Sequence, residues 1–236
     1  MRLDRLLYDT GFGSKRNVTQ LFNRRQIYID GRLATHLGQN VDPFLQAVCV
    51  SGQRIIGDKQ HVYYMLNKPQ GVVTANSDRK LPTVIDLIAP EDRRPDLYAV
   101  GRLDGDTEGL LLLTDNGPLG YRLLHPQRHI PKTYAVTTLE PLETQDIERF
   151  HQGIIFHDGT QCKSAQLRII SPHHAHVTLH EGKFHQVKKM FLSVGKKITY
   201  LKRITFGDLV LDSTLNTGEY RPLTPTELAI IKHYLD

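Results

Sequence analysis

Apolar residues along this chain repeat with two different periods. Leu3, Leu6 and Leu7, then Val18, Leu21 and Phe22, recur at helical spacing, and Gly11-Phe12-Gly13-Ser14 interrupts them. This predicts two short helices, the second capped by Ser14. Gln26-Ile27-Tyr28-Ile29 reads as a strand turning at Asp30-Gly31, and Val48-Cys49-Val50 as another. After a polar stretch, His61 to Leu66 is a strand. Lys68-Pro69 then forces an extended or turning backbone, and Val72-Val73-Thr74 reads as a strand. Residues 76 to 96 are polar, with Pro82, Pro90 and Pro95. They predict a surface excursion with one short helical piece at Val84 to Ile88.

The most apolar run is Leu110-Leu111-Leu112-Leu113. It has neither helical nor alternating polarity, and Gly109 and Asp115-Asn116-Gly117 bound it, so it reads as a strand buried on both faces. Leu119 to Leu124 predicts a helical turn. Lys132 to Thr137 alternates and is β-branched, which predicts a strand. Thr144 is expected to cap a helix through Ile147 and Phe150. Gln166 to Ile170 and His176 to Leu179 read as strands. Val187, Met190, Phe191 and Val194 share a helix face, leaving Lys188 and Lys189 off it. Strands at Tyr200 to Phe206 and Asp208 to Leu211 follow, then a helix capped by Thr224 or Thr226 that runs through Leu235. The fold class is α+β, with a small module over 1–57, a linker over 58–61 and a larger, mainly antiparallel domain over 62–236.

Composition narrows the function. Lysine plus arginine number 30 against 25 acids in 236 residues, a net +5 that suits a polyanionic partner. Arg2, Arg5, Lys15, Arg16, Arg24, Arg25 and Arg32 crowd one short segment whose acids are Asp4, Asp9 and Asp30, a balance fit for phosphate contacts. Cys49 and Cys162 form no CxxC pattern, which fits a reducing cytosol. The N-terminus lacks a signal-peptide pattern, and no stretch approaches a membrane span. No Gly-rich phosphate loop supports a nucleotide cofactor. His173, His174, His176 and His180 lack metal-motif spacing, and their alternation reads as surface strand positions.

The candidate chemistry lies in Gly101 to Gly117, GRLDGDTEGLLLLTDNG. Its acids allow three readings. One is a solvated turn. A second is a calcium loop, with Asp104, Asp106, Glu108, Gly109 and Asp115 at EF-hand positions one, three, five, six and twelve, although strand-like rather than helical flanks surround it. The third is an acid–base or nucleophilic carboxylate at Asp104, with Arg102 beside it.

Two resemblances bear on that choice. The order helix, GFGS, helix, strand, DG, strand over about the first 50 residues resembles the S4 RNA-binding domain. This implies an RNA-contacting face at Lys15, Arg16, Arg24 and Arg25. Further on, NKPQGVV, GRLDGDTEGLLLLTDNG, KTYAV, EGKFHQVKKMF and LKRITFGDLVLDSTLNTGEYRPLT occur in the order found in pseudouridine synthases of the branch that modifies bacterial ribosomal RNA. The resemblance implies isomerisation of uridine to pseudouridine. That reaction breaks the C1′–N1 bond, turns the base and rejoins it through C5, so no redox cofactor is required.

The same likeness assigns roles. Asp104 is the essential carboxylate, acting at C1′ or on a ribose proton. Lys188 is its cationic partner, where many relatives carry arginine; lysine there also resembles the small-subunit (16S) subgroup. Tyr134 packs on the target base and Leu201 on its other side. Arg102, beside the site, is expected to support it by meeting RNA phosphate or by forming a structural ion pair, and Lys132, His185 and Gln186 are expected to contact RNA. The implied partner is ribosomal RNA or a ribosomal assembly intermediate, met by a cytoplasmic monomer with no membrane attachment and no metal. The same chemistry on 23S rRNA, a non-catalytic RNA-binding or assembly role and a calcium module are the alternatives.

Overall fold

The computed structural model describes residues 1–57 and 60–235, so part of the linker expected over 58–61 lies outside the described residues. By packing, the chain forms two compact units.

The first unit holds helices α1 (Leu3–Asp9) and α2 (Lys15–Asn23), then β1 (Ile27–Ile29), β2 (Arg32–Leu33), β3 (Val48–Val50) and β4 (Gln53–Ile55) in sheet order β2-β1-β3-β4. Leu3, Leu6, Leu7 and Val18 from the helices and Ile27, Ile29, Val48 and Val50 from the sheet make its core, as their periodicity requires. Asp30 takes positive φ at the β1–β2 turn, which an Asp tolerates, and Gly31 follows it. Ser14 stands at the N-cap of α2 without a side-chain capping hydrogen bond.

Two distant segments complete this unit, residues 114–122, which hold most of α3 (Gly117–Leu124), and residues 223–235. They are joined through polar groups. Buried Asp42 accepts from the Tyr63 hydroxyl and from Asn116 Nδ2 at 3.2 Å, and Asn116 also donates to the Tyr63 oxygen at 2.8 Å. Burial and the Asp42 charge push the Tyr63 phenol well above its ordinary range. Lys232, at the end of α6 (Pro225–Lys232), pairs with Asp30 at 2.6 Å. The α6 cap is Thr224, in a capping box with Glu227, and a 3-10 turn over His233–Leu235 takes the place of the helix's expected last turn.

The second unit is built on one sheet, in the order β13-β5-β7-β11-β8-β10-β9. Its strands are β5 (Tyr63–Lys68), β7 (Glu108–Thr114), β8 (Lys132–Thr138), β9 (Gln166–Ser171), β10 (His174–Leu179), β11 (Ile198–Phe206) and β13 (Tyr220–Pro222), with β6 (Tyr98–Ala99) on β7 and β12 (Leu209–Val210) on β11. β7 is interior to the sheet, which explains why all four leucines are buried. β11 runs parallel to β7 and antiparallel to β8. Val187, Met190 and Phe191 bury one face of α5 (Gln186–Ser193).

Three further local expectations fail. Val72–Thr74 is not a strand: Val73 makes a single bridge to Thr83, and its N–H bonds the Pro82 carbonyl. Val84–Ile88 is a run of turns rather than a helix, because the Asp86 carboxylate takes both the N–H and the hydroxyl of Thr83. The cap of α4 (Thr144–Gln152) is not Thr144 but Glu143, and the Glu143 N–H donates to the Asp146 carboxylate at 3.0 Å. The alternative calcium reading is not met either, since β7 extends at about 3.3 Å per residue and carries Asp115 beyond its far end, away from Asp104.

Candidate active site

The loop bearing Asp104 is held from below by backbone-directed contacts. Lys68 closes β5 and is fully buried; its ammonium donates to the carbonyls of Pro69 at 2.8 Å and of Asp104 and Thr107 at 3.0 Å each. Burial lowers its pKa to about 8, although Asp106, Asp104 and Glu108 favour the charge. The Thr74 hydroxyl donates to the Leu103 carbonyl at 2.8 Å, and the Gly71 N–H reaches the Gly105 carbonyl at 2.8 Å. At the loop's exit Gly109 has φ +107 and lies opposite Arg203 of β11; a Cβ there would stand 2.2 Å from the Arg203 carbonyl oxygen. Only glycine allows so close an approach of β7 to β11.

The first turn of α5 supplies the cation. The Lys188 ammonium donates to Asp104 Oδ2 at 2.9 Å and also to Asp106 Oδ1. Burial opposes the Lys188 charge, but hydrogen bonds and attraction from Asp106 and Asp104 outweigh it and hold its pKa above the ordinary lysine value. The same bond holds Asp106 below the usual carboxylate range, against its own partial burial. His185, the N-cap residue of α5, adopts φ +51, and its Nε2 lies 3.6 Å from Asp104 Oδ1. Asp104 thus faces two nitrogen groups from one short segment.

Around this carboxylate opens a cleft of about 820 Å³. Tyr134 of β8 and Leu201 of β11 line it, both buried in the walls. Arg203, two residues on and in step with Leu201, also lines it. Its Nε donates to the Leu110 carbonyl at 2.7 Å, and its Nη2 finds no hydrogen-bond acceptor among the described residues. Lys132 is half-buried, bonded to the Ile130 carbonyl at 3.0 Å and 5.5 Å from the Phe206 ring; burial first, then Arg203, lowers its pKa to about 8. Arg102 is exposed on the cleft wall and makes no ion pair among the described residues. Gln186 is buried, accepting from the Lys183 N–H at 2.8 Å and donating to Glu181 at 2.7 Å, so its amide shapes the turn into α5. Lys163 and Lys183 also line the cleft, with His125, His129 and His180. Lys15, Arg16, Arg24 and Arg25 are exposed on the first unit.

The model of the RNA pseudouridylate synthase family matches residues 62–193, over half the chain, and spans the Asp104 loop, Tyr134 and Lys188. The chain belongs to the RNA pseudouridylate synthase family. In this family member the S4 domain model also matches, over residues 1–46. An uncharacterised RNA pseudouridine synthase of Bacillus subtilis is 41% identical over 235 residues, covering 98% of each protein. The ribosomal small subunit pseudouridine synthase A of Yersinia pestis is 38% identical over 98% of each, and that of Escherichia coli K12 is 35% identical over 98% of this chain and 100% of that one. A crystal structure of a pseudouridylate synthase superposes with a TM-score of 0.68 at 33% identity, covering 98% of this chain and 99% of the other.

Three residues of this pseudouridylate synthase domain escape a reading of the sequence. Lys68 reads as part of a turn, yet it is a buried clamp on the Asp104 loop. Asp106 reads as a turn or calcium acid, yet it shares Lys188 with Asp104. Arg203 could have been found from its two-residue step from Leu201, which puts both on one strand face.

Proposed function

We propose that this protein converts uridine to pseudouridine in small-subunit ribosomal RNA, with Asp104 as the essential carboxylate. The observation that carries the proposal is the Asp104–Lys188 bond at 2.9 Å, set in a cleft between Tyr134 and Leu201. The substrate assignment rests on the names of the near full-length relatives.

The reaction needs a group that engages the ribose at C1′ or at a neighbouring proton while the base detaches. Asp104 supplies one carboxylate for either route, and the Lys188 ammonium compensates the charge that must sit there. Tyr134 and Leu201 offer an aromatic and an aliphatic surface to sandwich a planar ring while it turns. The target base must leave its stack to reach this depth, so an unpaired or extruded uridine is the substrate form. The exposed arginines and lysine of the first unit add phosphate contacts without sequence readout.

The test maps pseudouridine in ribosomal RNA from cells with and without the protein, then repeats it with Asp104→Asn. One uridine of the small-subunit RNA should lose its modification in the deletion strain and should not regain it with the variant. Unchanged modification in the deletion strain, or restoration by Asp104→Asn, refutes the proposal.

A further inference from the structure

Phe184 is 74% exposed, more than any other large hydrophobic side chain among the described residues, although it lies in the segment that leads into α5 and lines the Asp104 cleft. A solvent-facing phenylalanine has no reason in the packing of the core, since Val187, Met190 and Phe191 supply the buried face of α5. It is nevertheless held in a defined place. Its ring lies parallel to that of His185, with centroids 3.8 Å apart and planes 20° apart, and the His185 backbone is fixed at positive φ. The segment is pinned by the Gln186 carboxamide, which binds the Lys183 N–H. His185 reaches Asp104 at 3.6 Å, so the stacked pair links the carboxylate to an exposed ring that also lines the cleft. Lys189 places its ammonium over the Phe184 ring, 5.5 Å from its centre, and over the Phe156 ring at 5.4 Å.

We propose that the Phe184–His185 pair is a stacking platform for an unpaired base adjoining the target nucleotide, with Lys189 meeting the flanking phosphate. This rests on the reading of the Asp104 cleft as the uridine site. A uridine drawn into the cleft leaves its neighbours without a stacking partner on one side. An exposed aromatic face beside the entrance replaces that partner, and every base has a π-face, so the contact is sequence-tolerant. A cation next to the ring adds attraction for the phosphate of the stacked nucleotide. The platform would hold the RNA strand on both sides of the extruded base.

The probe is a single-stranded RNA dodecamer with one central uridine and 2-aminopurine as each of its neighbours. Full-length parent protein should quench the 2-aminopurine fluorescence on binding. Phe184→Leu keeps apolar bulk but removes the ring; quenching should be lost and affinity should fall about tenfold, the scale of one base–aromatic stack. Phe184→Trp should restore both. Lys189→Gln should lower the slope of log affinity against log salt by about one phosphate contact. The idea is overturned if the parent gives no quenching, or if Phe184→Leu binds and quenches like the parent. Failure of the catalytic reading is seen separately: a parent that stacks the probe but forms no pseudouridine in ribosomal RNA sinks that reading and leaves the platform standing.

Discussion

Removing the charge of Lys188 separates a catalytic partner from an RNA contact. Lys188→Met preserves length and leaves the apolar face of α5 untouched. In the structure it deletes the hydrogen bonds to Asp104 and Asp106 and leaves two carboxylates facing each other without their shared cation. Two unit charges about 4 Å apart interact by about 4 kcal/mol at the effective dielectric found near protein surfaces. The pair is partly wet: the Lys188 and Asp104 side chains are 26% and 31% exposed, and that of Asp106 is 68% exposed. A charged hydrogen bond in such a setting is worth about 1.5–3 kcal/mol, which corresponds to a fall of about tenfold to a hundredfold in rate if it is needed at the transition state. The assay is the single-turnover rate of pseudouridine formation at saturating enzyme, where weaker RNA binding no longer matters. Lys188→Arg should keep much of the rate, because a guanidinium can bridge both acids. Asp106→Asn in the Lys188→Met background should recover part of the loss by removing the repelling charge. The reasoning is refuted if Lys188→Met matches the parent rate at saturation while its affinity and salt slope fall, because Lys188 would then be a phosphate contact.

Three further outcomes follow from the geometry. Replacing Lys15, Arg16, Arg24 and Arg25 by alanine should weaken ribosomal RNA binding and flatten its salt dependence, measured by titration at several salt concentrations; the log–log slope should fall by about 0.7 for each phosphate the protein no longer neutralises. Gly109→Ala should destabilise the second unit by several kcal/mol or prevent its folding, since the new Cβ meets the Arg203 backbone at 2.2 Å at a φ of +107; a denaturant midpoint equal to the parent's would contradict this. Lys68 has its folded pKa lowered from 10.5 to about 8, so between those values the folded chain sheds a proton that the unfolded chain keeps. Stability from this group therefore rises with pH over that window, by about 2 kcal/mol between pH 8 and 10, and Lys68→Met should lack that part of the rise in urea midpoints.

The candidate site was legible in the sequence because its residues sit in short segments with fixed order. Asp104 beside a four-leucine run, Tyr134 on an alternating strand and Lys188 off the apolar face of a helix are local patterns, and each of these elements formed where its periodicity placed it. Local pattern also predicted the two-helix, hairpin start of the chain. It failed where a nearby polar group competes with the backbone, as at Thr83–Asp86 and Glu143–Asp146, because propensity does not weigh such side-chain bonds. What the tertiary structure alone decided is which distant groups meet. Lys188 lies 84 positions from Asp104, and Lys68 lies 36 positions before it, yet one neutralises the carboxylate and the other clamps its loop. The Tyr63–Asp42–Asn116 network likewise ties residues 114–122 into the N-terminal unit. Spacing along a chain carries no information about such pairs. Strand order sets them, and strand order is fixed by the burial of β7 and by the close passage at Gly109 that lets β11 lie against it.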